Sequence, residues 1–258
     1  MTSIQMVCTG AARIEVLIDG HGPAVVLIPS SQRDSLHETT FVGHLVQAGF
    51  RVLRPQPRGM GRSAGPLAGV SLADLAADIA VTIDACGSGR AVVLGHAFGH
   101  TIARVTDLCH PDKVRGVGLL AAAARAAPAQ LFELLDRAAD AEHAPDIRRQ
   151  ALQAALFAPG NSVHEWMHGW HPHLRSAYRQ AGKLPGREHW WPVSNAPILD
   201  LQGVLDPWRP AASRTELSDV LGSQVTIALI EGAGHAMLPE RPLEAARATA
   251  LWIRGLRA

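Results

Sequence analysis

Short apolar runs alternate with helical patterns along most of this chain, and this alternation limits the possible folds more than any other feature. The run Ala24–Ile28 is continuously apolar, as expected for a strand buried on both faces of a mostly parallel sheet. Similar runs lie at 91–94, 114–120, 196–201 and 225–230. Strands that alternate with helices in this way predict an α/β fold with helices on both faces of the sheet.

Two further strands and a set of helices complete the predicted frame. Arg13–Ile18 alternates between apolar and polar residues, which is typical of an outer strand, and Arg51–Arg54 forms another short strand. Leu72–Ala85 has apolar residues at three- and four-residue spacing, with Ser71 as its N-cap and Asp74 in its first turn. Other helices are predicted at 37–48, 98–109 and 243–256.

The alternation stops between residues 122 and 193. Ala-rich helical stretches at 130–141 and 146–157 are followed there by a segment rich in His and Trp. We interpret 122–193 as a helical lid over the carboxyl ends of the strands, where open α/β sheets bind their ligands. Residues 1–121 and 194–258 are then predicted to form the core.

Charge and hydropathy exclude several partners. The 24 Lys and Arg nearly balance 23 Asp and Glu, and no basic run could follow a phosphate backbone, so nucleic acid is not expected. No apolar run approaches the roughly 20 residues of a membrane span, and the first residues do not resemble a signal peptide. The three cysteines, Cys8, Cys86 and Cys109, have no disulfide or metal spacing and are expected to be buried thiols. We therefore expect a cytoplasmic protein that does not bind membranes.

Four motifs follow one another in a defined order along the chain. They are a loop, an elbow after a strand, an acid after a strand and a histidine after the last strand. Their sequences are Pro57-Arg58-Gly59-Met60-Gly61-Arg62-Ser63, Gly95-His96-Ala97-Phe98-Gly99, Leu201-Gln202-Gly203-Val204-Leu205-Asp206-Pro207 and Gly232-Ala233-Gly234-His235-Ala236-Met237-Leu238-Pro239-Glu240. Together they resemble the α/β-hydrolase superfamily, in which a nucleophile elbow, an acid and a histidine follow in this order. The resemblance covers nearly the whole chain and implies the α/β-hydrolase fold.

The elbow has alanine at Ala97, where G-x-S-x-G holds the nucleophilic serine. A methyl group cannot attack a carbonyl, so no acyl-enzyme can form at this position. We favour a natural alanine, since His100 and Pro29-Ser30 also depart from the usual pattern. In addition, the elbow together with Phe157–Asn161 and Trp190-Trp191 resembles a branch of the superfamily in which this elbow is usual. The alternative is a serine hydrolase engineered to lack its serine.

The resemblance assigns roles to residues around Ala97. His235 is the candidate general base, and Asp206 is the acid that orients its imidazole. The oxyanion hole is expected at the backbone N–H groups of Phe98 and Ser31, although the loop lacks the family's usual His-Gly pair and leaves the second donor open. The hydroxyls of Ser30 and Ser31 either bind substrate or satisfy a turn, and the turn is the favoured interpretation.

Histidines and tryptophans supply the remaining candidates. His96 is expected to pack beside the elbow and His100 to be hydrogen-bonded in the site wall, where both are candidate substrate contacts. Four tryptophans are predicted to divide between lid core and pocket lining and favour a flat or bulky apolar substrate; they are Trp166, Trp170, Trp190 and Trp191. His164, His168, His171 and His173 lie close together without an accompanying carboxylate or cysteine. We therefore expect no metal, and we expect no cofactor.

Three functions fit this pattern, each with a small-molecule substrate. The first is hydrolysis of a small apolar or aromatic ester, lactone or similar activated carbonyl, by His235-activated water or by a serine in a parent enzyme. The second is a cofactor-independent, dioxygenase- or lyase-like reaction in which His235 deprotonates a heteroaromatic substrate; the Trp-rich lid favours it, and the position of Asp206 counts against it. The third is a non-catalytic binder, against which the retention of both His235 and Asp206 argues. The sequence predicts no oligomeric state.

Overall fold

The computed structural model describes residues 2–87 and 89–256, and its strands form a mixed eight-stranded sheet. The strands are β1 (Ser3–Thr9), β2 (Ala12–Asp19), β3 (Ala24–Ile28), β4 (Arg51–Pro55), β5 (Ala91–His96), β6 (Val114–Leu120), β7 (Ile198–Gly203) and β8 (Val225–Ile230). Their spatial order is β1-β2-β4-β3-β5-β6-β7-β8. β2 is antiparallel to both β1 and β4, and β3 to β8 run parallel. The predicted α/β-hydrolase fold is confirmed.

Helices cover both faces of this sheet. They are α1 (Thr39–Gln47), α2 (Leu72–Cys86), α3 (Gly99–Cys109), α4 (Ala129–Ala139), α5 (Pro145–Ala155), α6 (Arg175–Ala181), α7 (Ser218–Leu221), α8 (Met237–Glu240) and α9 (Pro242–Gly255). The side chains of β3 show how the layers form, because successive residues of a strand point to opposite faces. Val26 packs in the core that holds α2 and α3, and Val25 packs in the core that holds α1 and α9.

The predicted start of α2 is confirmed in detail. The Ser71 hydroxyl accepts the Asp74 N–H at 3.2 Å, and the Asp74 carboxylate accepts the Ser71 N–H at 2.9 Å. This reciprocal pair forms a capping box, which satisfies two of the N–H groups that a helix start leaves free.

Two features of the core differ from the predictions. β1 was not predicted, because it is an edge strand whose residues are mostly exposed and carry no regular apolar alternation. It pairs with β2 through its backbone. The expectation of buried thiols is correct for Cys86 but wrong for Cys8 and Cys109, which are exposed.

Residues 122–193 span the connection from β6 to β7 and are called the insertion below. The two predicted Ala-rich helices are present as α4 and α5, which pack against each other. α6 and several short 3₁₀ turns follow them and were not predicted. Leu152 and Trp166 of the insertion pack with Trp208 and Ala236 of the core. No helix in the described part of the chain is long and apolar enough to cross a membrane.

Candidate active site

The backbone at Ala97 has the conformation of a nucleophile elbow. Ala97 lies between β5 and α3 with φ of +45°, in the left-handed region that only glycine adopts without strain. Its N–H donates to the Leu120 carbonyl at 2.8 Å. A Cβ on Gly95 would lie 2.3 Å from the carbonyl carbon of Gly99, and a Cβ on Gly99 would lie 2.6 Å from the Ile28 oxygen. The tight turn is therefore retained although its central residue has no nucleophilic atom.

His235 and Asp206 form a buried hydrogen-bonded dyad. His235 Nδ1 lies 2.9 Å from Asp206 Oδ2 and 3.2 Å from Oδ1. An ionised carboxylate only accepts hydrogen bonds, so Nδ1 carries the proton and Nε2 has the free lone pair of a base. Asp206 Oδ1 also accepts the Trp208 N–H at 2.8 Å, which fixes the carboxylate. The structure therefore brings together the two residues that the sequence assigned as base and acid.

His96 supports this dyad from behind the elbow. Its Nε2 donates to the backbone carbonyl of His235 at 3.0 Å, and its Nδ1 lies 3.4 Å from Glu38 Oε1. The His96 side chain has no exposed surface and does not border the chambers described below. His96 is therefore packed between the His235 backbone and Glu38.

Glu240 ties the His235 turn to the insertion, and no role was predicted for it. One of its carboxylate oxygens accepts the Gly234 N–H at 2.7 Å. The other accepts the Ala158 N–H and the Asn161 side-chain amide, each at 2.6 Å. Asn161 and Glu240 both lie within sequence motifs noted above, but only their approach in space reveals what they do.

Phe98 and Ser31 border the same chamber as Ala97 and His235. Among the described residues, neither backbone N–H takes part in a hydrogen bond between backbone groups. Both donors are thus free to bind an oxyanion, in keeping with the role proposed for them. The Ser30 carbonyl accepts the Arg33 N–H at 3.2 Å, which closes a turn, while the side chains of Ser30 and Ser31 also line the chamber.

Two adjoining cavities lie at the candidate site, and the inner one borders the elbow. The inner chamber, of about 180 Å³, is bordered by Ser30, Ser31, Ala97, Leu156, Trp208 and His235. The outer chamber, of about 700 Å³, is bordered by Ala124, Arg125, Ser176, Lys183, Trp190 and Trp191. Residues shared by the two walls include Phe98, His100, Phe132, Arg179 and Arg187. The two chambers are therefore neighbours that share one wall.

His100 lies in the wall that the two chambers share. Burial, together with the positive charge of Arg104, holds its pKa well below the ordinary 6.5, because both disfavour the imidazolium form. Its Nδ1 has no hydrogen-bond partner within the described residues, so the hydrogen bond expected for this ring is not present at that atom. The His100 ring instead lies edge-on to Trp190, with ring centres 6.1 Å apart. His100 therefore presents a neutral ring to the chambers.

Trp166 and Trp170 pack against Arg33 and do not border either chamber. The Arg33 guanidinium carbon lies 4.5 Å from the Trp166 ring centre and 4.8 Å from that of Trp170. Arg33 Nη1 also donates to the His168 carbonyl at 2.6 Å. Burial lowers the pKa of Arg33 to about 10. These two tryptophans therefore join the insertion to the loop after β3, which is the lid-core place expected for some of the four tryptophans.

Trp190 and Trp191 border the outer chamber. The Arg104 guanidinium carbon lies 5.6 Å from the Trp190 ring centre and 4.7 Å from that of Trp191. No hydrogen-bond partner for the Arg104 guanidinium lies within residues 2–87 and 89–256, so its charge is compensated by the aromatic faces and by the negative charges of Asp200 and Asp107. Burial lowers the pKa of Arg104 to about 10.

The described residues contain no cluster of three or more His, Cys, Asp or Glu side chains that could hold a metal ion. Of the four insertion histidines, His171 lies 3.4 Å from Asp34 through its Nε2. Its ring centre lies 6.0 Å from that of His173.

Comparisons with known proteins identify the class of protein that this fold and site define. Residues 23–171 match the family model for the alpha/beta hydrolase fold, and the chain belongs to that family. It is similar to epoxide hydrolase A of Mycobacterium tuberculosis, with 23% identity over 98% of this chain and 97% of the relative. An epoxide hydrolase of Caballeronia sordidicola is 28% identical over 69% of this chain and 60% of its own length.

Solved structures show the same fold. A thermophilic esterase from Thermogutta terrifontis, with malate bound, superposes with a TM-score of 0.80 at 22% identity, covering 99% of this chain and 100% of the esterase. Epoxide hydrolase A of Mycobacterium thermoresistibile superposes with a TM-score of 0.74 at 23% identity, covering 100% and 99% of the two chains.

Proposed function

We propose that this protein hydrolyses small apolar or aromatic esters, lactones or similarly activated carbonyl compounds, with His235 activating water directly. One observation carries the proposal. The Asp206–His235 hydrogen bond of 2.9 Å lies at a chamber that also borders Ala97 and the free N–H of Phe98. A pocket that only bound its ligand would have no need of an oriented base.

The reaction that follows from this arrangement needs no covalent intermediate. The substrate carbonyl oxygen accepts hydrogen bonds from the N–H groups of Phe98 and Ser31. Replacing a serine side chain by the methyl group of Ala97 leaves space beside the carbonyl for a water molecule. His235 Nε2 removes a proton from this water as its oxygen bonds to the carbonyl carbon.

The tetrahedral intermediate then collapses. The imidazolium of His235 gives its proton to the leaving oxygen as the bond from that oxygen to the carbonyl carbon breaks, which releases an acid and an alcohol. Asp206 stabilises the imidazolium throughout. Enzymes without a triad member retain on the order of 10³ to 10⁴ of rate enhancement from the oxyanion hole and binding, so a slow, base-assisted hydrolysis is chemically accessible here.

The relatives agree with this reaction class. An esterase shares the fold over nearly the whole of both chains, and the relatives named epoxide hydrolases also add water to an electrophile. From these relatives we infer only the addition of water for this chain, since Ala97 supplies no nucleophile.

The test compares the protein with its Ala97→Ser, His235→Ala and Asp206→Asn variants on a panel of 4-nitrophenyl esters and lactones. We expect slow turnover without a burst in the unmodified protein and loss of this turnover in His235→Ala. Intact-protein mass spectrometry should find an acyl adduct in Ala97→Ser and none in the unmodified protein. Absence of turnover in the unmodified protein across the panel would overturn the proposal, whether or not Ala97→Ser is active.

Aromatic walls favour a second candidate, a cofactor-independent dioxygenase- or lyase-like reaction. Phe98, Phe132, Trp190 and Trp191 border the chambers, and such walls suit a flat heteroaromatic substrate that His235 would deprotonate. Oxygen uptake with a hydroxyquinolone-like substrate tests this candidate. Uptake that persists in His235→Ala, or no uptake at all, would exclude it.

A further inference from the structure

Five cationic side chains border the outer chamber, and none of the described residues that line it is acidic. They are Arg125, Arg175, Arg179, Lys183 and Arg187. The chain as a whole carries 24 basic and 23 acidic residues, so its composition does not impose this separation of charge. Positive charge is concentrated around one cavity.

Internal ion pairs leave most of this charge free. Asp136 takes two of the five cations, with Arg175 at 3.4 Å and Arg179 at 2.6 Å. The other three, Arg125, Lys183 and Arg187, form no ion pair with any described residue. Arg187 donates to the carbonyl of Arg125, which holds its guanidinium at the chamber. Among the described residues, Asp136 is thus the one carboxylate that forms an ion pair with any of these five cations.

The shape of the chamber strengthens the field of these charges. Cations on a convex surface are screened by water, whereas a concave cavity with apolar walls focuses the field and raises the local concentration of anions. The outer chamber has a volume of about 700 Å³, and its wall includes Phe132, Trp190 and Trp191. Arg125, Lys183 and Arg187 are exposed residues at this concave site. Burial is the main cause of the low pKa of His100, and the positive charges of Arg104, Arg209 and Arg187 lower it further.

We propose that the outer chamber binds an anionic group, a carboxylate or a phosphate, on the part of the substrate that does not react. Arg125, Lys183 and Arg187 recognise the anion, while the reacting carbonyl lies in the inner chamber beside His235. The proposal rests on the proposed function because it names the substrate class of that same site. It changes the expected substrate from a purely apolar ester to an ester with an aromatic or apolar body and a charged end.

The shared wall of the two chambers places the anion site next to the reactive one. Arg179 and Arg187 border both chambers, so an anion held by Arg187 lies at a wall of the chamber that contains the elbow. Binding energy gained at such a remote group helps to hold the carbonyl in the reactive geometry.

Three aryl acetates of matched shape test the proposal: 4-acetoxybenzoate, 4-acetoxyphenyl phosphate and the neutral 4-acetoxybenzamide. Their phenol products, 4-hydroxybenzoate, 4-hydroxyphenyl phosphate and 4-hydroxybenzamide, serve as binding probes by calorimetry, with no turnover required. We expect at least one anionic probe to bind about tenfold more tightly than the amide at low salt, and added NaCl to reduce the difference. The tighter of the two anions identifies carboxylate or phosphate as the natural group.

Charge-removing variants locate the site. Lys183→Met combined with Arg187→Gln should reduce the preference for the anion over the amide by about tenfold. Arg247→Gln is the matched control, since Arg247 is an exposed cation on α9 that does not border either chamber. Removal of this charge should change neither anion binding nor amide binding. The proposal would be overturned if the anionic probes and the amide bound equally tightly. It would also be overturned if Arg247→Gln weakened anion binding as much as the double variant does.

The binding arm separates this proposal from the proposed function. Anion-selective binding without hydrolysis of any acetate would leave the anion site in place and count against the hydrolase. Hydrolysis of the neutral acetate, together with equal binding of the anionic and neutral probes, would support the hydrolase and count against the anion site.

Discussion

The indole ring of Trp208 stacks on the imidazole of His235, with ring centres 5.0 Å apart and planes inclined by 26°. Trp208 also donates from its ring N–H to the Ala155 carbonyl at 2.7 Å. One side chain therefore restrains the candidate base and joins it to α5 of the insertion.

Replacing Trp208 by Phe should separate these two contributions. The ring stack is retained in part, while the hydrogen bond to Ala155 is lost and its buried carbonyl is left without this donor. We expect the free energy of unfolding to fall by about 1–3 kcal/mol and His235-dependent turnover to fall several-fold. Urea denaturation and steady-state kinetics measure the two effects. Trp252→Phe, on half-buried Trp252 of α9, is the control, and an equal loss of turnover in both variants would contradict the role given to Trp208.

The strained backbone at Ala97 predicts an unusual response to glycine. With φ at +45°, Ala97→Gly should relieve strain and raise the free energy of unfolding by about 1 kcal/mol. The same substitution at Ala103, a buried residue inside α3, should lower it by about 1 kcal/mol or more. Urea denaturation of both variants gives the comparison, and a loss of stability in Ala97→Gly would show that the elbow carries no such strain.

Burial of neutral His100 predicts a pH-dependent term in stability. The pKa of His100 in the folded state is well below 6.5, whereas in the unfolded chain it returns to that ordinary value. Above pH 6.5 the residue is neutral in both states and contributes no pH dependence. Below it the unfolded chain takes up a proton that the folded protein does not, so stability falls as the pH falls, by up to about 1.4 kcal/mol per pH unit.

His100→Gln should remove this term. Urea denaturation at pH values between 5 and 7.5 should give a shallower loss of stability for the variant than for the unmodified protein. His143→Gln, at an exposed residue, controls for the loss of a histidine. Parallel curves for His100→Gln and the unmodified protein would exclude the proposed term.

Local patterns predicted much of the sheet. β3, β6 and β8 have the predicted bounds, because each lies between turn or loop residues and carries enough apolar character to be recognised. The motifs also placed Ala97, Asp206 and His235 after the carboxyl ends of strands. In the structure they follow β5, β7 and β8, which run parallel.

What the sequence did not predict depends on contacts between distant residues. Trp208 and Glu240 support His235 through residues of the insertion, about fifty and eighty positions away. Trp166 and Trp190 are equally aromatic in the sequence, and only the folding of the insertion decides which packs on Arg33 and which borders a chamber. The cations of the outer chamber were missed for a related reason. Four of them recur every four residues, at 175, 179, 183 and 187, in a segment where no helix was predicted, so their common side was not recognised.

Glu240 offers the sharpest test of the link between the insertion and the base. Its carboxylate accepts the N–H groups of Gly234 and Ala158 and the amide of Asn161. Glu240→Gln replaces one acceptor oxygen by a donor, which then faces another donor. We expect a loss of about 2–4 kcal/mol in the free energy of unfolding and a fall in kcat larger than any rise in KM, because the turn that carries His235 loses its anchor. Glu244→Gln, in the first turn of α9, is the matched control and should leave kcat unchanged. If Glu240→Gln lowered stability but kept the full kcat, Glu240 would hold the fold together without positioning His235.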